Sequence, residues 1–507
     1  MNLTAGDGFR RPLWQATVIS AALGALTLSS VSDVPIKEAG LLTIVAVALF
    51  LSHSWLLRWD VLAGLLIAVI LFIPIRRFVL PGDLPFQLEP YRLFVTFLVA
   101  AWGTSLLIDS RVRLRRTGLE SPLFLFLGAA AASVLFNFDY LRSGVQYFDP
   151  VTRGVTDGSL DSNVLKAFTF FLSFTLVFYF ITSIARTPQK VEMLVKLLVC
   201  GGVLMAVLSV VESRTGVNWF DRLPRVLPFL QENYLNDDSN RGGRLRARGP
   251  AEHPIALSAA LVMLVPLGVY LAVTTRKLRW CVATAALGVG ALTAVSRTGV
   301  IMLGVVVLVF LLVRPREVKR LWPALPAVLV LVQVASPGTL GALKQSFEPP
   351  GGLLAEQSVL YSGQQGGGRL ADIAPSLAEW WERPLVGQGF GTRVTTYDAS
   401  TGQLSNAIIL DNQWLGTLLE TGLVGAAALA WLIVRFLRKM LSEARRDHSS
   451  RGWLLGALSA SVAGLAVGMF VFDALSFIQV AFLFFILMGL GVVTVRNDAP
   501  MLRIVDT

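Results

Sequence analysis

Charge is what this 507-residue chain has little of: Asp, Glu, Lys and Arg together make up 15% of it, against about 25% in a soluble globular domain. Water is therefore not its main solvent. Cysteine is nearly absent, with Cys200 and Cys281 each set inside an apolar run. Two such thiols imply no disulfide framework, and they read as buried apolar fillers. Histidine occurs at His53, His253 and His448. The first lies in an apolar stretch and the last in a charged one, so a histidine-based metal site is not expected. No carboxylate cluster suggests another cation.

Apolar length is what the chain has instead. Hydrophobic residues make up 54% of it, and the mean hydropathy is +0.65. A transmembrane helix takes about 20 apolar residues. Segments of that kind lie at 14–32, 38–57, 60–75, 91–109, 121–137, 164–185, 191–212 and 254–274, then at 279–295, 298–313, 321–336, 412–434, 453–472 and 474–494. The expected fold is all-α: a polytopic integral membrane protein of about 14 transmembrane helices. Arg10 and Arg11 precede the first segment as in a signal peptide. That segment is too long for a signal core and lacks a small-x-small cleavage site, so it reads as a retained helix.

Short basic loops set the orientation. With the N-terminus inside, Arg111–Arg116, Arg276–Arg279, Arg314–Arg320 and Arg435–Arg451 all fall in the cytoplasm. The chain then divides into N-terminal helices at 1–212, an extracytoplasmic arginine-rich loop at 213–253 and central helices at 254–337. A large extracytoplasmic loop at 338–411 precedes C-terminal helices and a cytoplasmic tail at 412–507. The net charge of +11 needs no nucleic-acid partner, since basic residues anchor membrane helices.

The first long loop holds Arg214, Arg222, Arg225, Arg241, Arg244, Arg246 and Arg248 but no lysine. It is either an ordinary basic loop or a phosphate-binding one, and arginine without lysine favours phosphate because guanidinium binds it through paired hydrogen bonds. Arg248-Gly249-Pro250 forms a tight entry to a helix starting near Pro254, whose positive dipole end faces the same place. Ser296-Arg297 is nearly the whole turn between two spans. Arg297 either snorkels to lipid headgroups or faces a polar cavity.

The second loop opens loosely at Gly351-Gly352 and Gly366–Gly368, then tightens at Arg369. Leu370, Ile373, Leu377, Trp380 and Trp381 fall at helical spacing. Their helix either lies flat on the outer leaflet or packs on the protein. Gly387-Gln-Gly389-Phe-Gly391 lets backbone approach a ligand, although with no strand before it no dinucleotide site is implied. Asp411-Asn412 opens the next span and Glu420 lies about two turns inside. Carboxylates there must bond to something, and either may neutralise an arginine.

Across residues 245–430 these motifs resemble the bacterial O-antigen ligase and O-antigen polymerase family of membrane glycosyltransferases. The resemblance rests on Arg248-Gly…His253-Pro254, Ser296-Arg297, Gly368-Arg369, the Pro384–Gly391 turn, Asp411-Asn412-x-x-Leu415 and Glu420-x-Gly422. It implies transfer of a glycan from an undecaprenyl diphosphate carrier to an acceptor hydroxyl, glycan or lipid, on the outer face of the inner membrane. The implied reaction uses no metal, no nucleotide sugar and no other cofactor, and membrane lipids surround it. The family's two diphosphate-contacting arginines fall on Arg248 and Arg297. The family's histidine at the start of the helix after the large loop is replaced here by Asp411. Asp411 is the expected base and His253 the reserve, with Arg246, Ser296, Arg369, Gly389, Asn412 and Glu420 lining the substrate. The competing reading is a membrane transporter or a lipid-linked glycan flippase. Against it, no internal repeat is visible and polarity sits in loops rather than at mid-span.

Overall fold

The computed structural model describes residues 58–80, 89–108, 113–139, 145–149, 154–158, 160–228, 230–232, 240–241, 244–321, 324–348, 373–393, 396–398, 403–405 and 410–496. The apolar stretches at 14–32 and 38–57 lie outside these residues, as does Arg369. Within them the structure is predominantly helical. The long helices are α1 (Trp59–Phe72), α2 (Pro90–Ile108), α3 (Glu120–Phe136), α4 (Asp161–Ile184), α5 (Pro188–Thr215), α6 (Pro254–Thr275) and α7 (Leu278–Thr293). They continue with α8 (Arg297–Val313), α9 (Ala324–Ala335), α10 (Thr339–Phe347), α11 (Ile373–Glu382), α12 (Gln413–Arg446), α13 (Ser450–Gly468) and α14 (Ile478–Arg496).

Among the described residues, seven of these helices are long and apolar enough to cross a membrane: α2, α4, α5, α6, α12, α13 and α14. An eighth crossing results if Pro326–Ala335 and Thr339–Phe347, bent by 109°, count as one broken span. Four shorter apolar helices, α1, α3, α7 and α8, fall where spans are expected from the sequence. The bend between α9 and α10 sits at Ser336-Pro337-Gly338, where Gly338 takes φ +84°. Proline cannot donate to a continuing helix and glycine accepts the left-handed turn.

Helices α6, α13 and α14 form the centre, and nearly every residue of each is buried. All three lack a polar face, as expected of helices surrounded by other helices rather than by water. Small residues allow close crossings: a methyl group at Gly290 of α7 would stand 2.4 Å from Ala206 Cβ of α5. Cys200 and Cys281, expected to be buried, are instead exposed on the outer surface of the bundle. In a membrane protein an apolar residue satisfies its solvent by facing lipid as well as by facing the core.

Two further expectations are corrected. The Arg435–Arg451 segment is not a loop throughout, because α12 continues to Arg446. Its late Arg435, Arg438, Lys439, Arg445 and Arg446 suit the negative end of the helix dipole. The loops also hold short strands. β1 (Phe78–Val79) pairs antiparallel with β4 (Gln231–Glu232). β5 (Asn240–Arg241) pairs with β6 (Arg244–Leu245). A four-stranded sheet in the order β3 (Gly154–Gly158), β2 (Val145–Asp149), β7 (Thr396–Asp398), β8 (Gln403–Ser405) joins the connection after α3 to the one before α12. Long-range pairing of this kind leaves no periodic signal in strands of two to five residues.

Contacts sort the connections into two ends. At one end the α1–α2, α5–α6, α7–α8 and α13–α14 connections meet, together with the starts of α6 and α12. At the other, Arg314 donates to the Asp447 carbonyl, and Arg451 donates to Asp447 Oδ2 at 3.0 Å and to the Thr494 carbonyl at 3.0 Å. This alternation is the one expected of helices that each cross the bundle once. Single cysteines at Ser476 and Arg446, on a background with the two natural thiols removed, should therefore label from opposite sides of sealed vesicles. Labelling of both from one side refutes the arrangement.

Candidate active site

At the end of the bundle where most loops meet, the entry to α6 is fixed residue by residue. The backbone N–H groups of Arg248 and Gly249 donate to Glu212 Oε1 and Oε2 at 3.2 and 2.8 Å. Gly249 takes φ +53°, and a side chain there would stand 2.9 Å from Ser209 Oγ. Arg77 donates to the Gly249 carbonyl at 3.0 Å and to the Ala251 carbonyl. Arg76 pairs with Glu252 at 2.7 Å. His253 then caps α6, its Nδ1 accepting the Ile255 N–H at 3.1 Å, with Pro254 as the first helical residue. Proline at that position is pre-organised for a helix start.

Arg248 itself is half-buried, and its guanidinium pairs with Asp221 Oδ2 at 3.0 Å. The other oxygen of Asp221 accepts from Arg77 at 3.0 Å. Burial, and then the charge of Arg248 beside it, pull the Arg77 guanidinium down to about 10. Arg246 is buried and donates from Nε to the Ala294 carbonyl at 2.9 Å, while the Ala247 N–H reaches the Thr293 carbonyl at 3.3 Å. The arginine-rich strand thus lies along the α7–α8 turn. Ser296, buried, caps α8 by accepting the Gly299 N–H, and Arg297 is its first helical residue. Arg248 thus follows directly on Arg246 and Ala247, which meet the end of α7 just before the turn from which Arg297 opens α8.

A second contact between distant segments forms where α12 breaks. Gly422 has φ +64° and ψ −169°, and α12 changes direction there. The Pro384–Gly391 turn fills the break: Gln388 and Gly389 donate to the carbonyls of Leu419 and Glu420 at 2.8 and 3.1 Å, and the Leu423 N–H donates to the Pro384 carbonyl at 2.8 Å. The approach leaves no room for a side chain at Gly387 or Gly422, where a Cβ would stand 2.6 and 2.2 Å from backbone atoms. On its other side the turn meets α3, with Asn137 donating to the Gly387 carbonyl at 3.0 Å and Phe390 N–H to Ser133 Oγ at 3.0 Å. The Glu420 carboxylate accepts the backbone N–H groups of Gly391 and Arg393.

Asp411 is exposed and precedes Asn412, the cap of α12, whose Oδ1 accepts the Leu415 N–H at 3.1 Å. Gln413 ties this start to the α13–α14 connection, donating from its backbone to Met469 at 2.8 Å and accepting the Leu475 N–H at 2.7 Å. That places Asp473 near Asp411, with Arg76 and Arg393 also within range of its charge. Burial, opposed in part by the Ser476 hydroxyl and assisted by Asp411, pushes Asp473 up to about 6. His253 faces the same connection, its ring 5.9 Å from that of Phe477.

The sequence reading missed Arg76, Arg77, Glu212, Asp221, Glu252, Arg393 and Asp473. One signal was available: Arg76-Arg77 follows a span on the side where positive charge is unexpected. Helix α11 answers a question left open. Trp380 packs against α12 near Leu415 and Leu419 and donates to the Pro384 carbonyl at 3.0 Å, while Ile373, Leu377 and Trp381 stay exposed. Among the described residues, no three of His, Cys, Asp and Glu are grouped to hold a metal ion.

Residues 282–430 match the family model described as O-antigen ligase. Over that segment, less than half of the chain, the protein is similar to the O-antigen ligase family. No curated protein matches significantly. The O-antigen ligase match spans Ser296, Arg297, Gly389, Asp411, Asn412 and Glu420, whereas Arg246, Arg248 and His253 precede it and Asp473 follows it. The family implies a glycosyltransferase-like membrane enzyme that takes a lipid-linked glycan donor and an acceptor.

Asp473 gives a measurable consequence. Its carboxyl is held near 6 in the folded chain, above the ordinary value of about 3.9. The folded form therefore binds the extra proton, and stability falls as pH rises from about 4 to about 6. Asp473→Asn should flatten that part of the profile, read as the thermal midpoint of the purified protein against pH. An unchanged profile contradicts the assignment.

Proposed function

We propose that the chain transfers a glycan from a polyprenyl (undecaprenyl) diphosphate carrier to an acceptor hydroxyl on the outer face of the cytoplasmic membrane. It acts there as a surface-polysaccharide ligase or polymerase. The O-antigen ligase match over residues 282–430 carries this reading. The concentration of arginines and carboxylates at one end of an apolar bundle supports it. In this reading that end faces outward and both termini are cytoplasmic. The apolar stretches at 14–32 and 38–57 add to the described helices to make about 14 crossings.

In the proposed reaction the acceptor oxygen attacks the anomeric carbon of the donor glycan. The bond from that carbon to the diphosphate oxygen breaks, the hydroxyl proton passes to Asp411, and the carrier leaves as its diphosphate. Arg248 and Arg297 stabilise the negative charge that develops on the leaving group, since fixed donors in a partly dry site act most strongly on new charge. Arg246, Ser296 and Arg369 complete the anion-binding side. Gly389, Asn412, Glu420 and His253 line the acceptor side, where the backbone of the Pro384–Gly391 turn is held against α12. The scheme uses arginine in place of a metal ion and needs no nucleotide sugar.

Removing one charge-stabilising donor typically costs about 10²–10³ in rate. Arg297→Ala and Arg248→Ala should each lower transfer by that order while the protein still inserts in the membrane. The readouts are surface-polysaccharide length and the lipid-linked glycan that accumulates; normal polymer from both variants defeats the mechanism. A general base contributes about 10²–10⁴-fold. Asp411→Asn should lose turnover by that order in a reconstituted assay while donor binding persists. Full activity in this variant places the base elsewhere. Movement of donor across the bilayer without transfer by the wild-type protein favours the flippase.

A further inference from the structure

Asp221 spans two guanidinium groups, with Oδ1 3.0 Å from Arg77 Nη1 and Oδ2 3.0 Å from Arg248 Nη2. One anion held by two arginines, an oxygen to each, is also how phosphate is bound between paired arginines. The three groups are not equally fixed. Arg77 is 7% exposed and is anchored by the carbonyls of Gly249 and Ala251. Arg248 is 23% exposed, and its backbone is anchored by Glu212. Asp221 is 40% exposed, lies in the single turn Phe220–Arg222, and has only the two arginines as side-chain partners among the described residues. Arg77 Nε is buried with no hydrogen-bond partner. The cations are thus built into the fold, and the anion is its most accessible member.

We propose that Arg77 and Arg248 form a seat for a phosphate group of the lipid-linked donor, and that Asp221 is the displaceable anion occupying that seat until the donor arrives. The assignment rests on the donor named under the proposed function. Asp221 gives the empty seat a purpose: two guanidinium groups this close repel, and a buried unpaired one is costly. A diphosphate brings more negative charge than one carboxylate and satisfies both arginines, so Asp221 is released toward solvent as the donor enters. When the carrier diphosphate leaves, Asp221 returns. Arg77, in the connection between α1 and α2, thereby becomes part of donor binding although it lies far outside the family match.

An internal competitor lowers apparent affinity by the fraction of time it occupies the site. The test measures undecaprenyl diphosphate binding to the full-length protein in phosphatidylcholine nanodiscs. Asp221→Asn, which keeps the side-chain shape, should bind at least about threefold more tightly than wild type. Arg77→Gln should bind more weakly. A bracket with a purely structural role predicts the opposite sign for Asp221→Asn: equal or weaker binding and a lower thermal midpoint. Either result, or failure of both Asp221→Asn and Asp221→Ser to fold, overturns the proposal. Tightening seen with phosphatidylglycerol but not with undecaprenyl diphosphate overturns the donor assignment. A seat that behaves as expected in a wild-type protein unable to transfer glycan leaves the seat standing and removes the transferase reading. Normal transfer with an Asp221-independent affinity does the reverse.

Discussion

Placing guanidinium groups below the surface of an apolar bundle is costly unless each finds a carboxylate or a carbonyl, and the loop end of this protein is organised by that requirement. Arg76 and Arg77 are adjacent in sequence yet serve different partners. Arg76 adopts φ +62°, a conformation that costs a non-glycine residue roughly 1–2 kcal/mol. It is held by its N–H to Glu89 at 2.7 Å and by its side chain to Glu252 at 2.7 Å. Arg77, turned the other way, clamps the carbonyls of Gly249 and Ala251 and one oxygen of Asp221. Arg76 and Arg77 together thus tie the α1–α2 connection to the entry of α6 at several points, beside Arg248.

The second organising feature is an absence of side chains. α12 breaks at Gly422 and the Gly387–Gly391 turn seats its backbone in the break, so carbonyls that would be orphaned in an apolar setting receive N–H donors from the turn. The Glu420 carboxylate, costly at this depth on its own, accepts the backbone N–H groups of Gly391, which ends the turn, and of Arg393 just beyond it. Irregular backbone at membrane depth is tolerated where protein covers it, and α3 supplies the cover through Ser133 and Asn137.

These two features come from segments far apart in the chain. The O-antigen ligase match takes in α8, the turn and the kinked helix, but the bracket around Arg248 is built from the connection after α1 and the loop after α5. The charge network at Asp473 comes from the connection between α13 and α14. The matched segment is therefore completed by parts of the chain that lie outside the match. Under the proposed function this division suits a transferase, since donor and acceptor must be held by separate walls. The exposed Ile373, Leu377 and Trp381 of α11 present an apolar face beside them.

Apolar run length alone determined the helical membrane architecture, because a span of about 20 residues has no other use for so little charge. The same reading found the helix starts at Pro254 and Ser296-Arg297, the Gly387–Gly391 turn and the helical spacing around Trp380, but not the kink at Gly422 that seats the turn. Those signals are local, set by caps, glycine conformations and periodicity. Which carboxylate meets which arginine was not legible, since Arg77 and Asp221 are separated by several helices and pair only once those helices cross the bundle. The four-stranded sheet was hidden for the same reason, its strands being too short to show a period. The sequence determined what each segment is; only packing decided that Arg77 and Arg248 share the Asp221 carboxylate, because ion pairing depends on distance through space and not along the chain.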